Sequence, residues 1–540
     1  MIVAARPVQS TIAAQLRYIA TTTPRAPAIF YAGRVTSYAE LYEQSVAAAK
    51  ALLASGVKRG DRVGVLMGNQ PEWLTMCFGS ALIGAVLAPM NTWYKETELL
   101  WALRHSGARV LVASSTFLKQ DYAGLFARLI PELADSKPGE LKSPLVPELQ
   151  TIAFLAEAPR GAFAWPRFLA RGDEISSHDF ASAAAAVLPT DPAFILYTSG
   201  STADPKGVLL AQAHAVANGY DMGQRRFVNA EDRVWIGTPL FYALGAINAL
   251  QVALAHGAAI VLQDYFEAGR TIEVVQATGA TVYYGTGNMT RAILDHPSYE
   301  QRKIGSLQKG NAGTYADYKR MTLVEMGIRL ASAAYGLTES YGNATVSHAD
   351  DPLEAKINTN GTPLPGTELM IVDPVSREPL TQGETGLILL RGHVTPGYFQ
   401  NPEETAKAIG ADGFFDTGDL GWLDSDGRLI FHSRLKEVIK TGGINVSPLE
   451  LEQLLARHPA IAEAFVVGAP DKIRGEVIVA YVQTRGPVSE AEVKSFVSSQ
   501  AASFKTPHRV FFRTEEQLPR LASGKVAKHV LAKEAAEAIR

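Results

Sequence analysis

From the N-terminus to about Leu364, the chain alternates between two hydrophobic periods. "TSYAELYEQSVAAAKALLASG" repeats apolar residues every three to four positions, opens with Ser37 and Glu40 in capping-box spacing, and stops at Gly56. That pattern predicts a helix with both ends marked. The short apolar run "RVGVLM" then predicts a buried strand. A helix from Pro71, the strand "AVLAP", the helical "TELLWALRHSG" and the strand "ARVLVAS" follow in turn. The alternation resumes with "AFILYTSG", "AAIVLQD", "TIEVVQATG" and "TVYYG". Repeated strand–helix–strand units predict mainly parallel sheets wrapped in helices. Residues 131–150 carry four prolines and few periodic apolar positions, which predicts a surface connection.

The pattern changes after Leu364. "ELMIVD", "GLILLRG" and "RLIFHSR" are strands separated by Gly, Pro and Asp turns, as in a small β subdomain. Past "SRLKEVIKTGG" comes a compact α+β unit. "SPLELEQLLARHP" has Ser447 as N-cap, Pro448 at the first helical position and Glu450 in capping-box spacing. "AEAFVVGAP", "VIVAYVQT" and "RVFFR" are strands, and "SEAEVKSFVSSQA" is a helix. The expected fold class is α/β. A large N-terminal domain, 1–435, has helix-flanked parallel sheets and the small β subdomain. A small, mobile α+β C-terminal domain spans 436–540.

Composition narrows the function. A chain of 540 residues with 47% hydrophobic and 19% charged residues belongs to a multidomain globular protein. A net charge of −3 gives no reason to expect a nucleic-acid or anionic-membrane partner. The single cysteine, Cys77, excludes a disulfide framework and a cysteine-based zinc or redox pair. It lies in "LTMCFGSALIGAV", where a buried inert thiol is expected. "FGSALIGAVLAP" is too short to span a bilayer. The N-terminus has an arginine and a proline where a secretory signal needs an unbroken apolar core. A cytoplasmic protein is expected.

Four clusters carry candidate chemistry. In "YTSGSTADPKGV", Thr198, Ser199, Gly200, Ser201, Thr202 and Lys206 leave the C-terminal end of a strand, where open α/β sheets bind ligands. Hydroxyls, glycine amides and a lysine suit phosphate. The stretch lacks the Gly-Lys-Ser/Thr of the common phosphate loop, and by itself it also fits a polar turn. In "YGLTES", Tyr335 offers a ring to a purine, Thr338 a donor to phosphate, and Glu339 an oxygen ligand to Mg²⁺; an exposed turn is the plain alternative. In "GFFDTGDLGWLDSDGRLIFHSRLKEVIKTGG", Asp419 suits vicinal ribose hydroxyls and Arg434 offers a planar fork. "DSDG" there reads as a hairpin turn. In "LPRLASGKVAKHVL", Lys525 follows a Ser-Gly turn, a place where a lysine is usually solvated.

Taken together, these stretches resemble the adenylate-forming superfamily of acyl- and aryl-CoA synthetases, carrier-protein adenylation domains and luciferases. The resemblance spans nearly the whole chain. It includes "TSYAEL", "GVKRGDRVGVLMGN", "PLFYALG", "YGLTES", "TGDLGWLDSDG", "SRLKEVIKTGGINVSPLELE" and "PRLASGKV" besides the opening loop. It implies an AMP-forming ligase that activates a carboxylic acid with Mg·ATP and passes the acyl group to coenzyme A. Loading of a carrier protein or formation of an amide is the alternative acceptor chemistry, and luciferase-type oxidation has no local support. Missing kinase and phosphate-loop motifs weigh against a kinase or NTPase. Retention of Glu339, Asp419, Arg434 and Lys525 weighs against an inactive homologue.

The resemblance also assigns roles. Thr198 through Thr202 with Lys206 grip the β- and γ-phosphates. "GNAG", with Asn311, Ala312 and Gly313, lines the adenine and acyl region, as do Ala334, Tyr335 and Gly336. Thr338 contacts the α-phosphate, Glu339 holds Mg²⁺, and Asp419 and Arg434 hold the ribose. Lys525 is the catalytic lysine, Lys436 the hinge, and Lys440, Gly442 and Gly443 the thioester-forming face. Tyr242, Gly245, Tyr284, Gly285 and Gly342 line or gate the acyl pocket. Two positions depart from the family pattern: Ala203, where glycine is common, and Tyr242, where histidine often stands. "FYALGAIN", "YYGTGNMT" and "GNAG" supply no arginine or lysine for a second carboxylate, which predicts a mostly apolar aromatic, alicyclic or medium-chain acid. The expected partners are that acid, ATP and CoA, with no nucleic acid and no membrane span. A homodimer is compatible with all of this.

Overall fold

The helix Tyr38–Ala54 starts where its sequence places it. The Ser37 hydroxyl accepts from the Glu40 amide at 3.2 Å, and the Glu40 carboxylate accepts from the Ser37 amide at 2.7 Å. Two otherwise orphaned amides are thereby satisfied. The computed structural model describes residues 10–198, 205–441, 444–471, 474–501, 503–521 and 525–539. The chain divides into two compact units. One holds the residues through Glu368 together with Leu390–Phe415, and the other holds Leu369–Leu389 and Asp416 onward.

The first unit contains two large sheets. Among the described residues, one has seven strands, in the order Lys206–Ala211, Pro192–Thr198, Val86–Pro89, Arg62–Leu66, Ala108–Ala113, Thr151–Phe154 and Phe163–Ala164. All its pairings are parallel except Pro192–Thr198 with Lys206–Ala211. The other, with nine strands, is parallel through its middle: Leu330–Tyr335, Lys309–Gly313, Val282–Tyr284, Arg233–Ile236, Ala259–Leu262 and Pro27–Tyr31. The expected helix-flanked parallel sheets are therefore present. The helix Pro71–Leu82 is buried almost all round and packs on Tyr38–Ala54, with Leu74, Met76 and Phe78 in one continuous core. Burial also pushes the Cys77 thiol far up, so it stays protonated and unreactive. Residues 131–150 form the expected surface connection, most of them exposed or half-buried. Leu133, Leu141, Val146 and Leu149 are all 2% exposed or less; apolar anchors between the prolines pin the segment to the core.

The second unit has a four-stranded sheet, Thr367–Val372, Gly386–Gly392, Phe415–Leu423 and Leu429–Arg434, and a mixed sheet built around the long hairpin Ile461–Asp471 and Gly475–Thr484. Thr367, Glu368, Leu390–Gly392 and Phe415 of the first of these sheets are assigned to the other unit. "DSDG" is a turn as expected: the Asp424 carboxylate accepts from the amides of Asp426 and Arg428, and Gly427 has φ +73°. The box at Ser447 is only half made. Its hydroxyl accepts from the Glu450 amide, but the Glu450 carboxylate turns to Lys505 instead. A full ammonium outcompetes a neutral amide for that carboxylate.

A buried cation of the first unit is hydrogen-bonded to a carbonyl. Lys319, on the helix Ala316–Arg320, is 2% exposed and donates to the Thr359 carbonyl at 2.8 Å. Burial pushes its ammonium down from the ordinary 10.5 to about 7. The unfolded chain then binds more protons between those two values, so this residue makes stability rise with pH across that window. Lys319→Met should stabilise the fold by about 1–3 kcal/mol near neutral pH. Thermal melts at several pH values check this. The variant's advantage should shrink steadily above pH 7, and an advantage independent of pH would sink the assignment.

Candidate active site

Thr198 ends one strand and Lys206 starts the next, and the two pair directly in an antiparallel hairpin. Ser199, Gly200, Ser201, Thr202 and Ala203 lie outside the described residues. Lys206 is held by two partners that sequence reasoning missed. Its ammonium lies 2.5 Å from a Glu404 carboxylate oxygen and 5.0 Å from the centre of the Tyr398 ring. Lys206 first, then Lys407, holds the Glu404 carboxyl down at about 2, so this carboxylate is ionised throughout the neutral range.

Tyr398 links this lysine to Glu339. Its hydroxyl donates to the Glu339 carboxylate at 2.9 Å. Burial, and then the Glu339 carboxylate beside it, push the phenol well above its usual value, so it remains a donor. The backbone explains the meeting. Leu209 donates to the Gly397 carbonyl at 3.1 Å and Phe399 to that of Gly207 at 2.7 Å. Thr395 donates its amide to the Glu339 carbonyl at 2.6 Å and its hydroxyl to that of Leu209, also at 2.6 Å. Residues 395–399 therefore bind the outer side of the hairpin's edge strand. The helix Pro402–Ala408, capped by Asn401, then presents Glu404. The only sequence signal was the Asn-Pro helix start in "GYFQNPEET", which reveals a cap but not what the helix faces.

The turn after Tyr335 is tied to the same hairpin. Tyr341, at φ +57°, accepts from the Ala211 amide through its hydroxyl at 2.8 Å and from Asn248 through its carbonyl at 2.8 Å. A side chain at Gly336 would meet the Gly342 carbonyl at 2.5 Å, and one at Gly342 would meet the Asn248 amide at 2.4 Å. Both glycines are required by close approach. Thr338 and Glu339 are half-buried on this turn. Asn311, Ala312, Ala334 and Tyr335 are buried at neighbouring strand ends, and Gly313 turns there with φ +90°. Tyr335 is 2% exposed.

Around the expected acyl gate, the Tyr242 hydroxyl accepts from Asn91 at 3.1 Å, and its ring packs on Phe241 and Trp93. Gly245 lies in the π-helical segment Leu244–Ala249, an uncommon geometry concentrated at functional sites. Its missing side chain leaves room for the Pro239 carbonyl, and that of Gly285 for the Tyr283 ring. Tyr284 is fully buried. The expectation of no basic residue in this region needs correction. Arg226 arrives from a helix end outside the segments considered, is 0% exposed, and donates to the Tyr284 hydroxyl at 2.5 Å and to Asn311 at 3.4 Å. In "GQRRFVNAED" it reads as one of two exposed charges at a helix end.

The remaining candidates belong to the second unit. Asp419 and Arg434 are cross-strand partners, 3.6 Å apart at their closest polar atoms. Asp419 is buried while Arg434 is exposed. Lys525 is near them. Crowding by its neighbours, then the like charge of Arg434, lowers its pKa, and Glu437 opposes this. The Lys525 side chain is exposed to solvent. Lys436, in the turn Leu435–Glu437, and Lys440 are exposed; Gly442 and Gly443 lie outside the described residues.

Among the described residues, no three His, Cys, Asp or Glu side chains gather as a metal cage. The single oriented carboxylate of Glu339 fits a hard cation that takes its other oxygens from substrate phosphates and water, the usual habit of Mg²⁺.

Residues 16–399 match the profile of the AMP-binding enzymes, and residues 450–525 that of the AMP-binding enzyme C-terminal domain. The putative acyl-CoA synthetase YngI of Bacillus subtilis (strain 168) is 32% identical over 533 residues, 97% of each chain. A 3-[(3aS,4S,7aS)-7a-methyl-1,5-dioxo-octahydro-1H-inden-4-yl]propanoyl:CoA ligase of Rhodococcus jostii (strain RHA1) is 34% identical over 506 residues, 92% of this chain and 93% of its own. The structure of ATP-bound MatB from Rhodopseudomonas palustris is similar with a TM-score of 0.80 at 26% identity, covering 98% of this chain and 100% of the other.

Tyr398→Phe removes one hydrogen bond to an ionised carboxylate, and such bonds are worth about 1.5–3 kcal/mol. The variant should bind Mg·ATP roughly tenfold more weakly. Calorimetric titration measures this, and an isotherm superimposable on the parent's would show that Tyr398 does not orient Glu339 for the nucleotide.

Proposed function

The chain belongs to the AMP-binding enzymes and is an AMP-forming acid–CoA ligase, and from that premise we propose which of its residues carry each step. The substrate carboxylate attacks the α-phosphorus of ATP, pyrophosphate leaves, and an acyl-adenylate forms. The thiol of coenzyme A then attacks the acyl carbonyl and AMP leaves.

The supporting observation is the linkage of Lys206, Tyr398 and Glu339 through residues 395–399. It joins the residue proposed for the leaving phosphates to the one proposed for the cation. Thr198 through Thr202 with Lys206 hold the β- and γ-phosphates, and Glu404 holds the Lys206 ammonium in place. Thr338 donates to the α-phosphate. Glu339 would hold Mg²⁺, which, when bound, neutralises phosphate charge. Asp419 accepts from the ribose hydroxyls and Arg434 donates to the same sugar. Lys525 opposes the repulsion between the acid and the phosphate and the charge that builds on phosphorus. Desolvation and the like charge of Arg434 lower its pKa, and Glu437 opposes them.

The functional boundary is proposed at residue 435, with Lys436 as the hinge between half-reactions. Lys440, Gly442 and Gly443 would serve the thioester step. The acid is proposed to have a mainly apolar body, supported by the packing of Tyr242, Phe241 and Trp93. The Rhodococcus relative acts on an alicyclic propanoate, which is compatible with such a body. Among the described residues no helix is long and apolar enough to cross a membrane, and the lone buried thiol supports a cytoplasmic setting.

ATP–pyrophosphate exchange over a panel of aromatic, alicyclic and straight-chain acids, followed by thioester formation with CoA, tests this reading. Hydrolysis to ADP without acid-dependent exchange would refute it. Lys525→Ala should lose adenylation by at least about 10²-fold yet still form thioester from a supplied acyl-adenylate; equal loss in both half-reactions would remove Lys525 from that role. Lys436→Pro should impair the passage from one half-reaction to the other, and normal rates in both would place the hinge elsewhere.

A further inference from the structure

The helix Gln212–Arg225 and its cap residue Arg226 carry His214, Asn218, Met222 and Arg226 at four-residue steps. That spacing sets them in one gently winding row, which at 1.5 Å per residue runs about 18 Å. Their contacts confirm a shared outlook. His214 packs edge-on to Tyr341, with ring centroids 5.5 Å apart. Asn218 donates to the Asn343 carbonyl at 2.8 Å, and the Met222 sulfur accepts from the Asn343 amide at 2.9 Å. Arg226 reaches Tyr284 and Asn311. The row thus starts beside the turn that carries Glu339 and ends at the strand that carries Tyr284.

Three polar atoms of this row are buried without a hydrogen-bond partner: His214 Nδ1, Asn218 Oδ1 and Arg226 Nε. Asn218 and Arg226 are each 0% exposed. A fourth, Ser332 Oγ, is orphaned on the register partner of Asn311. Buried orphans are uncommon in native proteins, and here four line one path. Arg226 is the costliest. A guanidinium withdrawn from water without a carboxylate is strongly disfavoured, and among the described residues no carboxylate forms an ion pair with it. The helix C-terminus offsets only a small part of that cost. Met222, unbranched and pliant, fills the middle of the row, where a rotation of its side chain would admit a ligand.

We propose that this row lines the deep end of the acid-binding pocket, and that the acid carries at its far end an oxygen acceptor, either a ketone carbonyl or a second carboxylate, that pairs with Arg226. The proposal rests on the acid–CoA ligase reading above and adds the polar end of the substrate. The body of the acid stays apolar and its distal oxygen supplies the missing acceptor.

The test takes the apolar acid that gives the strongest exchange with the wild-type enzyme and compares it with its own distal-ketone and distal-carboxylate counterparts. One oxygenated acid should exceed the plain acid in kcat/KM by at least about tenfold, because a site built to hydrogen-bond rejects the analogue lacking the group. A ketone preference identifies a neutral carbonyl, and a diacid preference a second carboxylate. Arg226→Met should collapse that ratio toward one, and Arg226→Lys, which keeps the charge, should retain part of it for the diacid. A plain acid preferred by the wild-type enzyme would overturn the proposal without any variant. An Arg226→Met enzyme that slows all three acids alike would assign Arg226 to the core alone. Absence of exchange with every acid would overturn the ligase reading itself and this proposal with it.

Discussion

The pairing of residues 395–399 with the edge strand Lys206–Ala211 is the constraint on which the polar site depends. An edge strand offers unpaired amides and carbonyls that must be covered. Here the cover also carries chemistry. Because Leu209 and Phe399 exchange backbone hydrogen bonds with Gly397 and Gly207, Tyr398 falls between Lys206 and Glu339, and the next helix brings Glu404 to the lysine. A slip of one residue in that pairing would turn Tyr398 to the opposite face.

Three basic groups of the candidate site have an acidic neighbour within their own unit. Lys206 has Glu404, Arg434 has Asp419, and Lys525 has Glu437 against the like charge of Arg434. A cation already held in place costs little to reorganise when phosphate arrives, which is how fixed charges contribute to catalysis. Arg226 differs. It is the deepest of these cations, and Tyr284 and Asn311 give it neutral acceptors only.

Local patterns carried much of the architecture. The helix after Ser37, the turn at Asp424 and the strands Arg62–Leu66, Val86–Pro89, Ala108–Ala113, Pro192–Thr198, Ala259–Leu262 and Val282–Tyr284 stand where hydrophobic period and turn residues placed them. Misreadings arose where a distant partner competed. Glu450 left its expected capping role for Lys505. The reading of an apolar acid pocket missed Arg226 because it considered only segments adjacent to motifs.

By itself the sequence determined the alternation of strands and helices and the order of the chemical motifs, and the resemblance of those motifs to a known family implied the class of reaction; the alternation and order depend on neighbours along the chain, whose spacing is written in the residues. Only the tertiary structure decided which side chains meet. Lys206 and Glu404 are 198 positions apart, and Arg226 and Asn311 are 85 apart. Contacts of that kind depend on sheet register and helix packing, and the burial that makes Arg226 consequential is a property of the surrounding fold, with no trace in the four residues "QRRF".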